Sequence, residues 1–148
     1  MVTNEAVIRV GRLLEITVDA GYSTVEEVDR LFDQVDVVLA RMPWHRPRHI
    51  TVVDWSLCPV MSPEAGERVV QRMTLTNGRT ERTAAMVSRT SPGAVLQFLR
   101  LIREAGHPDR RLFFEAPLLE SWLSERLEPN ERERLRAFLA ERSSARRR

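Results

Sequence analysis

Three times in this chain a short apolar run is followed by a proline that opens a stretch of helical spacing, and this repeated order restricts the fold more than any other feature. Residues 50–55 lead to Ser62-Pro63-Glu64, residues 83–87 to Ser91-Pro92, and residues 111–114 to Pro117. Proline suits the first turn of a helix because its missing N–H has no intrahelical partner there, and a serine before it supplies the cap. Strands separated by helices of this length pair in parallel through right-handed crossovers.

The remaining elements fit around that frame. Residues 7–10 and 13–18 are β-rich, and Gly11-Arg12 between them suits a tight reversal, so the chain opens on a hairpin. Thr24 and Glu27 form a capping box, after which Val25, Val28, Leu31, Phe32, Val35, Leu39 and Met42 recur at helical spacing until Pro43. Residues 50–55 are apolar and β-branched enough for burial on both faces, which makes them an interior strand. Val69, Val70 and Met73 give the second helix its apolar face, and that helix ends near Asn77-Gly78. The third carries Val95, Phe98, Leu99 and Ile102 and is closed by Gly106 and Pro108. A fourth carries Leu119, Trp122, Leu123 and Leu127, with Trp122 in register for the core. The last, capped by Asn130 and Glu133, has a narrow stripe of Leu135, Phe138 and Leu139.

The pattern predicts an α/β fold: a five-stranded, mostly parallel sheet with an N-terminal β-hairpin, helices packed on it and an extra C-terminal helix. It predicts one domain over 1–142 and a basic tail over 143–148, frayed at Arg146, Arg147 and Arg148.

A chain of 148 residues fits one domain and buries roughly two-thirds of the surface its unfolded form exposes. Its single cysteine, Cys58, excludes an intrachain disulfide and points to a reducing compartment, so a cytoplasmic location is expected. No apolar run approaches the roughly 18 residues of a membrane span, and residues 1–6 lack a basic and apolar leader. Neither export nor membrane insertion is expected. Every basic residue is arginine, and the net charge is +2. Arg132, Arg134, Arg136 and Arg142 alternate with Glu131, Glu133 and Glu141, which reads as a solvated helix face. With no aromatic platform beside them, nucleic-acid binding is not expected.

Asp54, Ser56, Cys58 and Ser62 gather where a buried strand passes into a helix, the place where open α/β sheets hold ligands. Turn and cap chemistry accounts for the same residues. His45 and His49 flank a proline-punctuated loop, but His107 and Cys58 are the only further imidazole and thiol, and no metal spacing emerges. No nucleophile elbow surrounds Ser56 or Ser62, and Gly66, Gly78 and Gly93 stand alone rather than in a phosphate-binding loop. No catalytic activity, cofactor or metal is expected.

Residues 82–87 (Arg-Thr-Ala-Ala-Met-Val), the helix with Gln97-Phe98, the turn over 103–111, and Phe113 or Phe114 leading to Ala116, Trp122 and Leu123 resemble the second half of small bacterial SpoIIAA-like proteins of the STAS family. The order of elements is similar along most of the chain. In that family the turn after the third strand carries an Asp-Ser-Ser-Gly-like motif whose serine is phosphorylated by a partner kinase. The corresponding turn here is Val60-Met61-Ser62-Pro63-Glu64-Ala65, and aligned on Met61 the acceptor position falls on Pro63. A one-residue slip places Ser62 there instead. The resemblance implies a non-enzymatic protein-interaction module in bacterial regulation or scaffolding that lacks the usual phosphoacceptor. Its protein partner is expected at Ser62, Glu64, Arg68 and Ser56, with Trp44 on the loop entering the third strand. The alternative is a lipid- or nucleotide-binding domain with a pocket between helices and sheet.

Overall fold

The computed structural model describes residues 3–43, 45 and 48–147. It has the predicted element order: β1 (Asn4–Val10), β2 (Leu13–Val18), α1 (Val25–Ala40), β3 (His49–Asp54), α2 (Pro63–Leu75), β4 (Thr80–Met86), α3 (Pro92–Ala105), β5 (Arg110–Phe113), α4 (Ala116–Ser124) and α5 (Pro129–Arg146). The sheet runs β1-β2-β3-β4-β5, with β1 antiparallel to β2 and all later neighbours parallel. Because each new parallel strand is added on the same side, three right-handed crossovers put α1, α2 and α3 on one face. Among the described residues no strand follows β5, and α4 and α5 cover the other face.

Strand alternation feeds both layers. Leu14, Ile16, Val18, Val53 and Ala85 pack with α1, α2 and α3, whereas Leu13, Ile50, Val52, Ala84 and Met86 pack with α4 and α5. Every residue of β3 is buried, as expected of an interior strand, and the buried set includes the polar His49, Thr51 and Asp54. Trp122 lies in the second core at 9% exposure, stacked near Phe113 with Arg82 and Arg111 over its ring.

Four expectations need correction. The α3 face is rotated: Ala94, Phe98, Leu101 and Ala105 are buried while Leu99 is exposed, because the alanines let this helix sit close to the sheet. The N-cap of α5 is Glu128, not Asn130, and Glu131 Oε1 accepts from the Glu128 N–H at 2.8 Å. Residues 143–146 are no tail, since α5 continues through them and Arg146 Nη1 donates to Asp54 Oδ2 at 3.2 Å. Finally, the arginines of α5 do not share one solvated face. Arg132 and Arg136 point outward, but Arg134 and Arg142 lie against the sheet.

The face beneath α5 explains that arrangement. Glu15 and Asp54 occupy inward positions of β2 and β3 and are buried. Arg134 binds both oxygens of Glu15 at 2.7 and 2.8 Å, and Arg142 binds Asp54 and Asp19 at 2.6 Å each. Near the start of α5, Glu131 Oε2 accepts the Arg12 N–H at 2.8 Å. That contact needs Gly11, since a Cβ there would overlap the Glu131 carboxylate and its φ of +57° is left-handed. A helix with few apolar residues is thus seated by carboxylates that the sheet buries.

Candidate functional site

In a parallel sheet the C-terminal ends of successive strands gather the N-termini of the following helices on one rim. Here that rim holds the ends of β3, β4 and β5 and the starts of α2, α3 and α4. Among the described residues it also holds most of the large apolar side chains that reach solvent: Leu57, Val60, Leu96, Phe114 and Leu118. Val60 is 59% exposed and Leu96 68%, and Val60 lies over Gly93 at the start of α3.

The turn over 55–62 that presents Leu57 and Val60 is fixed from several sides. Asp54 Oδ1 accepts from the Ser56 N–H at 2.9 Å and from its hydroxyl at 2.5 Å, while Oδ2 takes Arg142 and Arg146. The buried carboxylate therefore links the turn to α5. Gln97 of α3 grips Met61 through both backbone groups, accepting from N–H at 2.8 Å and donating to C=O at 2.9 Å. Pro59 packs on Gly21, where any side chain would collide with the proline ring, and Trp55 stacks on Phe98 with centroids 4.5 Å apart. Burial, with Asp19 adding to it, pushes the Cys58 thiol up to about 12, so this cysteine is a protonated core residue.

Among the residues expected to bind a partner, Ser56, Ser62 and Glu64 share this rim. Ser62 caps α2, its hydroxyl oxygen accepting from the Ala65 N–H at 3.2 Å. Glu64 is exposed on the first turn. Arg68, one turn on, reaches Asp29 of α1 at 3.8 Å and so leans away from the rim. Trp44 lies outside the described residues. Local sequence patterns do not reveal Gln97 as a clamp, Asp54 as the link to α5, or the exposed apolar rim. An aspartate inside a strand that reads as buried on both faces was the available signal for Asp54.

Two other places merit comparison. Between the sheet and α1 and α2 lies a cavity of about 50 Å³, where small-molecule sites usually span roughly 300–1,000 Å³. A surface groove of about 550 Å³ separates β1 and β2 from α5, but its charges already pair with one another: Arg9 with Glu15 and Glu5, Arg142 with Asp19. Among the described residues, no group of three or more His, Cys, Asp or Glu side chains is arranged to hold a metal ion. No described helix is long and apolar enough to cross a membrane.

Comparison with protein-family models, with curated proteins and with solved structures found no match in any of the three.

Proposed function

We propose that this chain is a STAS-like, SpoIIAA-like interaction module that captures a protein partner in bacterial regulation or scaffolding without catalysing a reaction. One observation carries the reading: a turn braced by Asp54, Gln97 and Gly21 holds Val60 out to solvent over the start of α3, the helix that carries the exposed Leu96, and presents Leu57 on the side of the groove beside α5. Exposed apolar side chains on a preorganised surface favour association, because little conformational freedom is lost on binding. Ser56 and Glu64 would supply polar contacts around that apolar centre. Ser62 already serves α2 as its cap, and Pro63 carries no hydroxyl, which supports a module without the family's serine switch.

The carrier reading draws less support, because the space between helices and sheet is about 50 Å³. Native mass spectrometry of the purified protein would restore that reading if a lipid or nucleotide stayed bound.

The test is capture of partners from a bacterial lysate by the parent protein and by a Val60→Asp, Leu96→Glu variant. Both positions are exposed, so circular dichroism and melting should match the parent while a partner found by mass spectrometry is lost. Retention of every partner by this variant, with loss on substitution along α5, would move the interface to the C-terminal helix.

A further inference from the structure

We propose that the cavity between the sheet and helices α1 and α2 is a site for one ordered water molecule, donating a hydrogen bond to His49 Nδ1 and held by the hydroxyls of Thr51 and Thr83. The cavity lies on an otherwise apolar face of the sheet. At its floor, Thr51 of β3 is paired directly with Thr83 of β4, and Thr83 with Arg110 of β5, so three polar residues stand in one row. His49, Thr51 and Thr83 are 3%, 4% and 8% exposed, and all three line the cavity.

His49 Nδ1 is the one buried side-chain polar atom among the described residues with no hydrogen-bond partner in the protein. The Arg79 backbone and the Thr80 hydroxyl are the groups that hydrogen-bond to this ring. Thr80 gives its only hydroxyl proton to the Thr76 carbonyl at 2.8 Å, so towards His49 Nε2, 3.5 Å away, it can only accept. With the ring proton on Nε2, the tautomer this proposal requires, Nδ1 presents a bare lone pair that needs a donor. Burial lowers the His49 pKa to about 4, which keeps the ring in this neutral form. A buried acceptor left without a donor has lost its hydration uncompensated, which gives a bound donor its driving force.

Size and charge select the ligand. A space of about 50 Å³ holds one water, whose share of liquid volume is about 30 Å³, and excludes any organic molecule of metabolite size. Arg110 invites an anion at first sight, but its guanidinium is already committed to the C-terminal end of α2. It donates to the Met73 carbonyl at 3.1 Å and to Asn77 Oδ1 at 2.7 Å, where the negative end of the helix dipole offsets its charge. The lone pair on Nδ1 would also repel an anion. Water donates to the imidazole and accepts from a threonine hydroxyl without either conflict.

Crystals of the full chain diffracting beyond about 1.8 Å, one set soaked in sodium bromide, test the site together with oxygen-17 relaxation dispersion in solution. The expected result is a single peak within about 3.2 Å of Nδ1 and of at least one threonine hydroxyl, with no bromide signal. In solution, a Thr51→Val, Thr83→Val variant should lose one long-lived water relative to the parent. If that variant does not fold, nitrogen-15 correlation spectra of the parent read the tautomer directly, and a proton on Nδ1 overturns the proposal. Bromide in the cavity, no peak at Nδ1, or an unchanged count of long-lived waters in the folded variant would each overturn it as well.

Discussion

Replacing Arg142 with methionine isolates what the arginines of α5 contribute. The side chain is 13% exposed and joins Asp54 and Asp19 at 2.6 Å each, while the Asp54 carboxylate is fully buried. Methionine keeps the apolar stem and removes only the charge and its donors. Asp54 then retains Arg146 at 3.2 Å and the two donors of Ser56, but loses the shorter of its two ion pairs. Removing one partner of a buried pair costs about 3–5 kcal/mol, and the remaining donors place this case near the lower figure, about 3 kcal/mol. That is a large share of a domain stability of about 5–15 kcal/mol. For a chain of this size it corresponds to a fall in melting temperature of roughly 6–12 °C. Urea unfolding of the parent, Arg142→Met, Asp54→Asn and the double variant measures it, with Arg132→Met as the exposed control. The double variant should recover at least about 1 kcal/mol relative to the sum of the single effects, because the two groups are in contact. Since the pair is shielded from solvent, the loss should persist in 1 M salt on the order expected for buried charges. If Arg142→Met and Arg132→Met cost the same, or the two single effects simply add, α5 is held by its apolar stripe alone.

Other outcomes follow from buried groups. His49 has its pKa lowered from 6.5 to about 4, so the unfolded chain takes up the proton first. Its contribution is present above pH 6.5 and is lost as pH falls towards 4, amounting to about 3 kcal/mol. Stability measured from pH 7 to 4 should slope less in His49→Gln than in the parent, and equal slopes would refute the assignment. With its pKa near 12, native Cys58 should react with an aromatic disulfide reagent at pH 8 only as fast as the protein opens. Prompt labelling without denaturant would show the thiol to be accessible. Trp122→Ala should cost about 3–5 kcal/mol, since it empties a site walled by Phe113, Arg82 and Arg111, and a parent-like melt would refute its core placement.

The order of elements was legible in the sequence because its signals are local. The Ser62-Pro63 and Ser91-Pro92 starts, the Gly106 stop and the apolar run of β3 each act over a few residues, and the structure places helix and strand accordingly. Even so, Leu99 went to the wrong face, because spacing alone does not show which side of α3 meets the sheet. Part of the candidate site was also legible: Ser56, Ser62 and Glu64 sit where strand-to-helix order puts them. What the tertiary structure alone decided are the partners of charged residues far apart along the chain. Glu15 and Arg134 are 119 positions apart, and Asp54 and Arg142 are 88 apart, yet both pairs close within 2.7 Å. In sequence the arginines of α5 alternate with glutamates and look solvated. Only when α5 crosses the sheet over two buried carboxylates does the energetics change, because a charge out of water must find its counter-charge in the fold. The exposed apolar rim has the same origin: Val60 and Leu96 are ordinary apolar residues in the sequence, and only the fold brings Val60 over Gly93 at the start of α3 and leaves both side chains without cover.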